Sequence, residues 1–326
     1  LPELAEIAAR NHSIFKELQY LSNIDYRPIK YVNFAHDEET YKALEASKAW
    51  SKAEMVAPKQ FREEISPYFN SKSKKYLAAL ISDECWQATP GKVVDLIRNI
   101  GIAAGGTVME DCRVIEAVRD GKYTSVLVST HDKQYIEYRT EHFVNALGSG
   151  AGKLCDSMGI DAGLYPVRHQ AFITRRLPML GKNGANLDML IDRQDYKGFS
   201  AVYGQQIAYT GQIIGCASPK LDAMRIDKNL KLNTKAFLEI VSEMFVEWIP
   251  DLAGVGIQAV WAGYYTEPRY IVDPELGLFV GMRGHGFMLS QYIAKMYVDK
   301  LMGRPVPEYF DKLKLNGPGL SEKAFK

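Results

Sequence analysis

A chain of 326 residues is longer than a single hydrophobic core usually grows, so two domains, or one large α/β domain with a cap, are the starting expectation. Its 40 Lys and Arg offset 39 Asp and Glu to leave +1, which argues against the basic footprint of a nucleic-acid or anionic-membrane binder and suits a small neutral or zwitterionic ligand. The four cysteines, Cys85, Cys112, Cys155 and Cys216, lie far apart without CxxC or His-rich spacing, so ordinary thiols are expected rather than a zinc site or redox dithiol.

No apolar run approaches the ~20 residues of a bilayer span, and the start LPELAEIAARNHSIF has no signal-peptide character, so no transmembrane segment and a cytoplasmic location are expected. In chain order, Leu4, Ile7, Ala8, Ile14, Phe15 and Leu18 recur at helical spacing and predict an amphipathic helix over residues 3–19. Tyr26 to Ala35 alternates as a strand, Asp37 to Lys48 reads as a charged helix, and a short helix follows Pro58. Leu77 to Ile81 reads as a buried strand. Thr89-Pro90 then opens a helix with Val93, Val94, Leu96, Ile97 and Ile100 on its apolar face, Thr89 suiting the N-cap and Pro90 the first turn.

Between Thr107 and Leu147 the pattern shifts to short alternating runs (TVMED, RVIEAV, SVLVST, QYIEY, HFVNAL) separated by Gly, Asp and Lys turns, which predicts a β-rich block. Gly148 to Gly152 ends it and a helix to Met158 follows. A second β-rich stretch covers Leu164 to Gly215, followed by an amphipathic helix from Thr234 to Trp248 and a strand region at Gly256 to Tyr265. A last helix runs from about His285 to Met302, and the tail beyond Pro305 is expected to wrap the surface.

Two glycine-rich turns invite chemistry. GSGAGK (Gly148 to Lys153) sits between a predicted strand and helix, where a phosphate loop would sit, but Leu147 and Leu154 break a Walker pattern and Lys153 replaces the third glycine of a dinucleotide fingerprint. GLFVGMRGHGFML (Gly277 to Leu289) is the stronger signal: a buried strand Leu278 to Val280, a turn with Gly281, Gly284 and Gly286, then an apolar helix. Such a turn admits a planar ligand close to the backbone, and the helix start presents its positive end there. A tight turn that merely needs small residues is the plainer reading of the same spacing. No GxSxG elbow, HExxH or Asp-rich loop appears, so hydrolase chemistry and a metal site are not expected. Met288, Met296 and Met302 read as core packing. Tyrosines 203, 209, 264 and 265 and arginines 168, 175, 176, 193, 269 and 283 are the polar groups suited to a pocket.

With these stretches in view, the sequence resembles the glycine oxidase, sarcosine oxidase and D-amino-acid oxidase superfamily of FAD-dependent enzymes, which includes dye-linked proline dehydrogenases. AAGGTVMEDCRVIEAV is similar to the family's helix and strand pair beside the adenine, HFVNALGSGAGKL to its VVNAAGAW segment, PVRHQAFIT to the start of its substrate-domain sheet, and WAGYYTEPRYIVD with GLFVGMRGHGFML to its C-terminal flavin signature. The order agrees along essentially the whole chain.

The resemblance implies a mixed α/β, two-domain flavoprotein. Residues 1–22, 80–163 and 262–326 would form a discontinuous FAD-binding domain, and residues 23–79 and 164–261 a substrate domain with an antiparallel sheet. It implies that Val114 meets the adenine through its backbone, that Gly148 faces the dinucleotide, and that Gly284, His285, Gly286, Phe287 and Met288 run past the flavin. The reaction implied is oxidation of a small amine or amino acid (proline, sarcosine, glycine or a D-amino acid) by hydride transfer to flavin N5. Arg269 is the first choice for a carboxylate clamp, Arg283 the second, and Tyr203 and Tyr265 are orienting hydroxyls. No cysteine lies near Trp261 to Tyr265, where covalent members carry one, so FAD is expected to be noncovalent.

The family's opening strand, GxGxxG turn and helix have no counterpart here. With Leu1 in the first position, the expectation is a longer natural protein, and a partner chain or a noncatalytic subunit that has lost flavin are the alternatives. A 2-hydroxy-acid oxidoreductase shares nearly every feature named. The electron acceptor (oxygen, a quinone or a partner protein) and the oligomeric state are left open.

Overall fold

The computed structural model describes residues 3–48, 52–73, 75–180, 187–194, 199–207, 209–219 and 234–320. The chain divides into two compact units and passes between them four times: Leu1–Ile24, Pro90–Val167 and Tyr264–Lys326 make the first, Asp25–Thr89 and Arg168–Gly263 the second. The fold class is mixed α/β, as expected.

The second unit is built on an eight-stranded sheet. Its chain begins with β1 (Arg27–Ala35), α2 (Glu38–Ser47), β2 (Glu54–Val56), the one-turn α3 (Pro58–Gln60) and β3 (Ala78–Gln87), numbered after the opening helix α1 (Glu3–Leu21) of the first unit. It continues through β7 (Tyr165–Thr174), β8 (Met189–Asp192), β9 (Phe199–Gln206), β10 (Ile213–Pro219), α6 (Thr234–Trp248) and β11 (Ile257–Glu267). The strand order is β11-β7-β10-β9-β8-β1-β3-β2, with β1 antiparallel to β3 and parallel to β8. Residues 80–89, placed by the sequence with the flavin-binding segments, fall in this unit because β3 pairs along most of β1.

The predicted bounds of α6 and its periodicity are met: Phe237, Val241, Met244, Phe245 and Trp248 share one face and are all buried. Each such side chain contributes roughly 1.5–3 kcal/mol on leaving water. Their seat is flat because Gly204 and Gly215 pair across β9 and β10. A Cβ on Gly204 would lie 2.4 Å from the Phe245 ring, and one on Gly215 2.4 Å from that of Phe172. Asp37 and Thr40 form a capping box that starts α2 where the charged pattern begins.

Beside α2, His36 lies 2.6 Å from the buried Asp192, whose other carboxylate oxygen accepts from the Tyr76 hydroxyl at 3.3 Å. Burial depresses the His36 pKa, but Asp192, the Lys75 carbonyl and Asp37 together outweigh it and leave the imidazole above its ordinary value.

In the first unit, α1 packs on α7 (Gly286–Leu301). The buried stripe of α1 is Leu4, Ile7, Asn11, Phe15 and Leu18, so a polar residue occupies a core position that apolar periodicity passes over. Asn11 is satisfied there, donating to Gln291 Oε1 at 2.9 Å and accepting from the Tyr292 amide at 2.8 Å. Between these helices in sequence lie α4 (Pro90–Ala103), the antiparallel meander β4 (Arg113–Asp120), β5 (Tyr123–Ser129) and β6 (Tyr135–Thr140), α5 (Ala151–Ser157), and the hairpin β12 (Ile271–Asp273) with β13 (Leu278–Val280). The tail returns to the core, where Phe310 and Leu313 are buried beside Leu4 and Ile7.

That burial corrects the expectation of a tail confined to the surface, and four further expectations fail in this unit. The apolar face of α4 is not covered: only Val93 is buried, and Val94 is 60% exposed, with Ile97 and Ile100 also exposed. TVMED forms no strand, because no described strand runs alongside to pair with it, and HFVNAL contributes only the parallel bridge Asn145 to Leu278. Met302 ends α7 as an exposed C-cap rather than a core residue. Among the described residues no helix is long and apolar enough to cross a membrane.

Candidate active site

In the first unit the chain from Tyr264 to Met288 folds into a strand end, a hairpin and a glycine-rich turn that launches α7. Gly281 follows β13 at φ +72, a conformation L-residues rarely adopt, and a Cβ there would sit 1.9 Å from the Arg269 carbonyl oxygen. No other residue fits without moving backbone. Arg283 to His285 form a single 3₁₀ turn, Arg283 itself at φ +50. Gly284 lies under the Tyr265 ring, whose edge a Cβ would meet at 2.8 Å.

His285 occupies the N-cap of α7 without a side-chain cap bond, so the first amides of a 16-residue helix, Gly286, Phe287 and Met288 among them, open onto this turn uncapped. Uncapped N–H groups at a helix start carry partial positive charge and favour an anionic partner.

Charged and aromatic groups close around the same turn. Arg283 Nε donates to Glu267 Oε2 at 2.5 Å in a mostly buried ion pair. The Tyr270 hydroxyl lies 2.6 Å from His285 Nδ1, and burial pushes the Tyr270 pKa up to about 12. Phe287 meets Phe15 of α1 edge-on at 5.4 Å between ring centres.

Of the residues picked from sequence, Arg283, Tyr265 and Gly284 to Met288 are brought together here. Arg269 is close in sequence but otherwise engaged. Its guanidinium donates to the Gly317 carbonyl at 3.0 Å and to that of Leu315, so it fastens the tail, and this weighs against a carboxylate clamp.

Val114 is half-buried on β4 opposite Val128, packed beside Ala117, Val126 and Leu154. Gly148 opens an exposed 3₁₀ turn at φ +53 with open space where a Cβ would be. That turn is anchored by the fully buried Asn145, whose amide donates to the Ala151 carbonyl at 3.0 Å and whose Oδ1 accepts from the Leu147 amide at 3.2 Å. Tyr203 belongs to the second unit, on β9 between Cys216 of β10 and Ile191 of β8.

Sequence reasoning passed over Glu267, Tyr270 and Asn145. The only trace of the first two was position: both lie in the stretch TEPRY that leads into the hairpin, where spacing gives no hint that Tyr270 folds back on His285.

A glycine-rich strand-to-helix turn bearing an uncapped helix start, in a mixed α/β chain of two discontinuous units, suits an anionic ligand. A model of the FAD dependent oxidoreductase (DAO) family matches residues 1–300, and the chain belongs to that family. The fold is shared with the L-proline dehydrogenase from P. horikoshii (21% identity, 95% of this chain and 81% of that one, TM-score 0.76). It is shared also with the glycine oxidase from Geobacillus kaustophilus (16% identity, 96% and 81%, TM-score 0.75). A third is the L-alpha-glycerophosphate oxidase from Mycoplasma pneumoniae, solved with FAD bound (15% identity, 90% and 79%, TM-score 0.69). No curated protein matches the chain.

Proposed function

We propose that this FAD-dependent oxidoreductase oxidises a small amine or amino acid, with noncovalent FAD held by the first unit. The observation that carries the cofactor side is the Gly281–Gly286 turn. Its glycines let the turn close tightly on the Arg269 carbonyl and the Tyr265 ring, and the uncapped amides of Gly286 and Met288 suit the negative charge that a reduced flavin carries at its N1 and O2 edge. FAD, when bound, supplies the acceptor for the hydride leaving the substrate α-carbon.

The chain's own residues then place and polarise. Tyr265 is held edge-on over Gly284, and Arg283 is aimed by Glu267. Arg283, with its Nε held by Glu267, is the proposed carboxylate contact, since Arg269 is bonded to the tail. Gly148 and Val114 are the proposed dinucleotide contacts.

The choice of an amine rests on the likeness to a proline dehydrogenase and a glycine oxidase, and the likeness to a glycerophosphate oxidase favours a hydroxyl-bearing substrate as the second reading. The test is the visible spectrum of the purified protein supplied with FAD, titrated anaerobically with proline, sarcosine, glycine, D-amino acids and 2-hydroxy acids. Flavin bands that bleach with an amine support the proposal. Bleaching only with hydroxy acids moves the second reading to first place, and absence of bound flavin sinks both.

A further inference from the structure

The Tyr270–His285 contact carries chemical information beyond its length. The Tyr270 hydroxyl is buried, with the residue 3% exposed, and its one hydrogen-bond partner among the described residues is His285 Nδ1 at 2.6 Å. A hydroxyl both donates and accepts, whereas an imidazole nitrogen does one or the other according to its tautomer.

If Nδ1 carried the proton and donated to the phenol, the buried Tyr270 O–H would have no acceptor, the costlier arrangement. If Nδ1 carries the lone pair, the O–H donates to it and both groups are satisfied. Burial keeps the phenol protonated well beyond neutral pH, with Glu267 adding to the effect and Arg283 opposing it. The proton Tyr270 donates is therefore always present.

We propose that Tyr270 is a positioning residue that locks His285 in the tautomer with its lone pair on Nδ1 and its proton on Nε2, so that the imidazole at the head of α7 serves as a hydrogen-bond donor and not as a proton acceptor. Resting on the functional reading above, the consequence is that His285 reinforces the donor character of the Gly284–Met288 turn. The proton released by a substrate amine has to leave by another group.

The tautomer itself needs no flavin and is tested without it. Full-length protein labelled with ¹⁵N-histidine is recorded by long-range ¹H–¹⁵N correlation at neutral pH, the His285 signals being assigned by their disappearance in His285→Gln. The expected spectrum places Nδ1 in the unprotonated range and Nε2 in the protonated range. A protonated Nδ1 overturns the proposal.

Tyr270→Phe keeps the ring and deletes the donor, and its His285 signals are expected to move toward the averaged positions of two exchanging tautomers. An unchanged pattern in a folded variant removes Tyr270 from the assignment. Should that variant fail to fold, the wild-type spectrum alone still decides. A protein that takes up no FAD would sink the functional reading and leave the tautomer result standing.

Discussion

Gly281→Ala is the sharpest perturbation available at the proposed flavin turn. The backbone there is at φ +72, and the ideal Cβ falls 1.9 Å from the Arg269 carbonyl oxygen. Ordinary carbon–oxygen contacts lie at about 3.3–3.6 Å, so the alanine has to open more than an ångström between two backbones. The left-handed conformation costs roughly 1–2 kcal/mol and crowding in a packed site roughly 1–3 kcal/mol, a total of about 2–5 kcal/mol. At about 2–4 °C per kcal/mol for a domain of this size, the melting temperature should fall by about 4–20 °C.

Gly284→Ala is the control: its Cβ meets only a ring edge, that of Tyr265 at 2.8 Å, which can swing aside. It should melt within about 1–2 kcal/mol of wild type while weakening FAD binding. Calorimetric melts of both variants decide the matter. A Gly281→Ala melt within about 2 °C of wild type, or equal losses in the two variants, would refute the reasoning.

The buried His36–Asp192 pair makes stability depend on pH. Its raised folded pKa means that the stabilisation is complete below the unfolded value of about 6.5 and is lost as pH rises through the folded value, so urea midpoints should fall between pH 6 and pH 8.5. Asp192→Asn should flatten that dependence and cost about 3–5 kcal/mol at pH 6, and an unaltered slope would discount the pair. Arg269→Ala should expose residues beyond 305 to limited proteolysis and lower stability by about 1.5–3 kcal/mol. A rise in KM with an intact tail would instead restore the clamp role. Val94→Ser with Ile97→Ser should leave the melt of this chain within about 0.5 kcal/mol of wild type, since both side chains are exposed, and should lower its binding of a hydrophobic dye.

Elements whose partners are local or strongly periodic were legible in the sequence. The bounds of α6 and β13 agree with the expected ones, and those of α7 lie one residue inside at each end. Where the sequence misled, the missing information was the neighbour. The α4 pattern is amphipathic whether or not anything lies against it, and TVME has strand character without a strand to pair with. Asn11 shows the reverse case, a polar residue buried because Gln291 and the Tyr292 amide receive it from the far end of the chain.

The glycine turn was legible because conformational need is written in residue type, Gly281 above all. The relay around it was not. That Arg269 turns to the tail and Tyr270 to His285 depends on how a three-residue strand and its hairpin orient two adjacent side chains.

The meeting of α1 with α7 has a consequence for biosynthesis. Asn11 and Tyr292 are 281 positions apart, so the first helix leaves the ribosome long before the helix that covers Leu4, Ile7 and Phe15 exists. The second unit's two segments are complete once Gly263 has emerged, whereas the first unit waits for the segment from Tyr264 onward. Throughout that interval α1 presents an uncovered apolar stripe, the kind of surface that chaperones hold and that aggregates in their absence. Loss of α7 would then abolish accumulation of the protein rather than trim its activity, and slowing translation just before α7 would act on yield in the same direction.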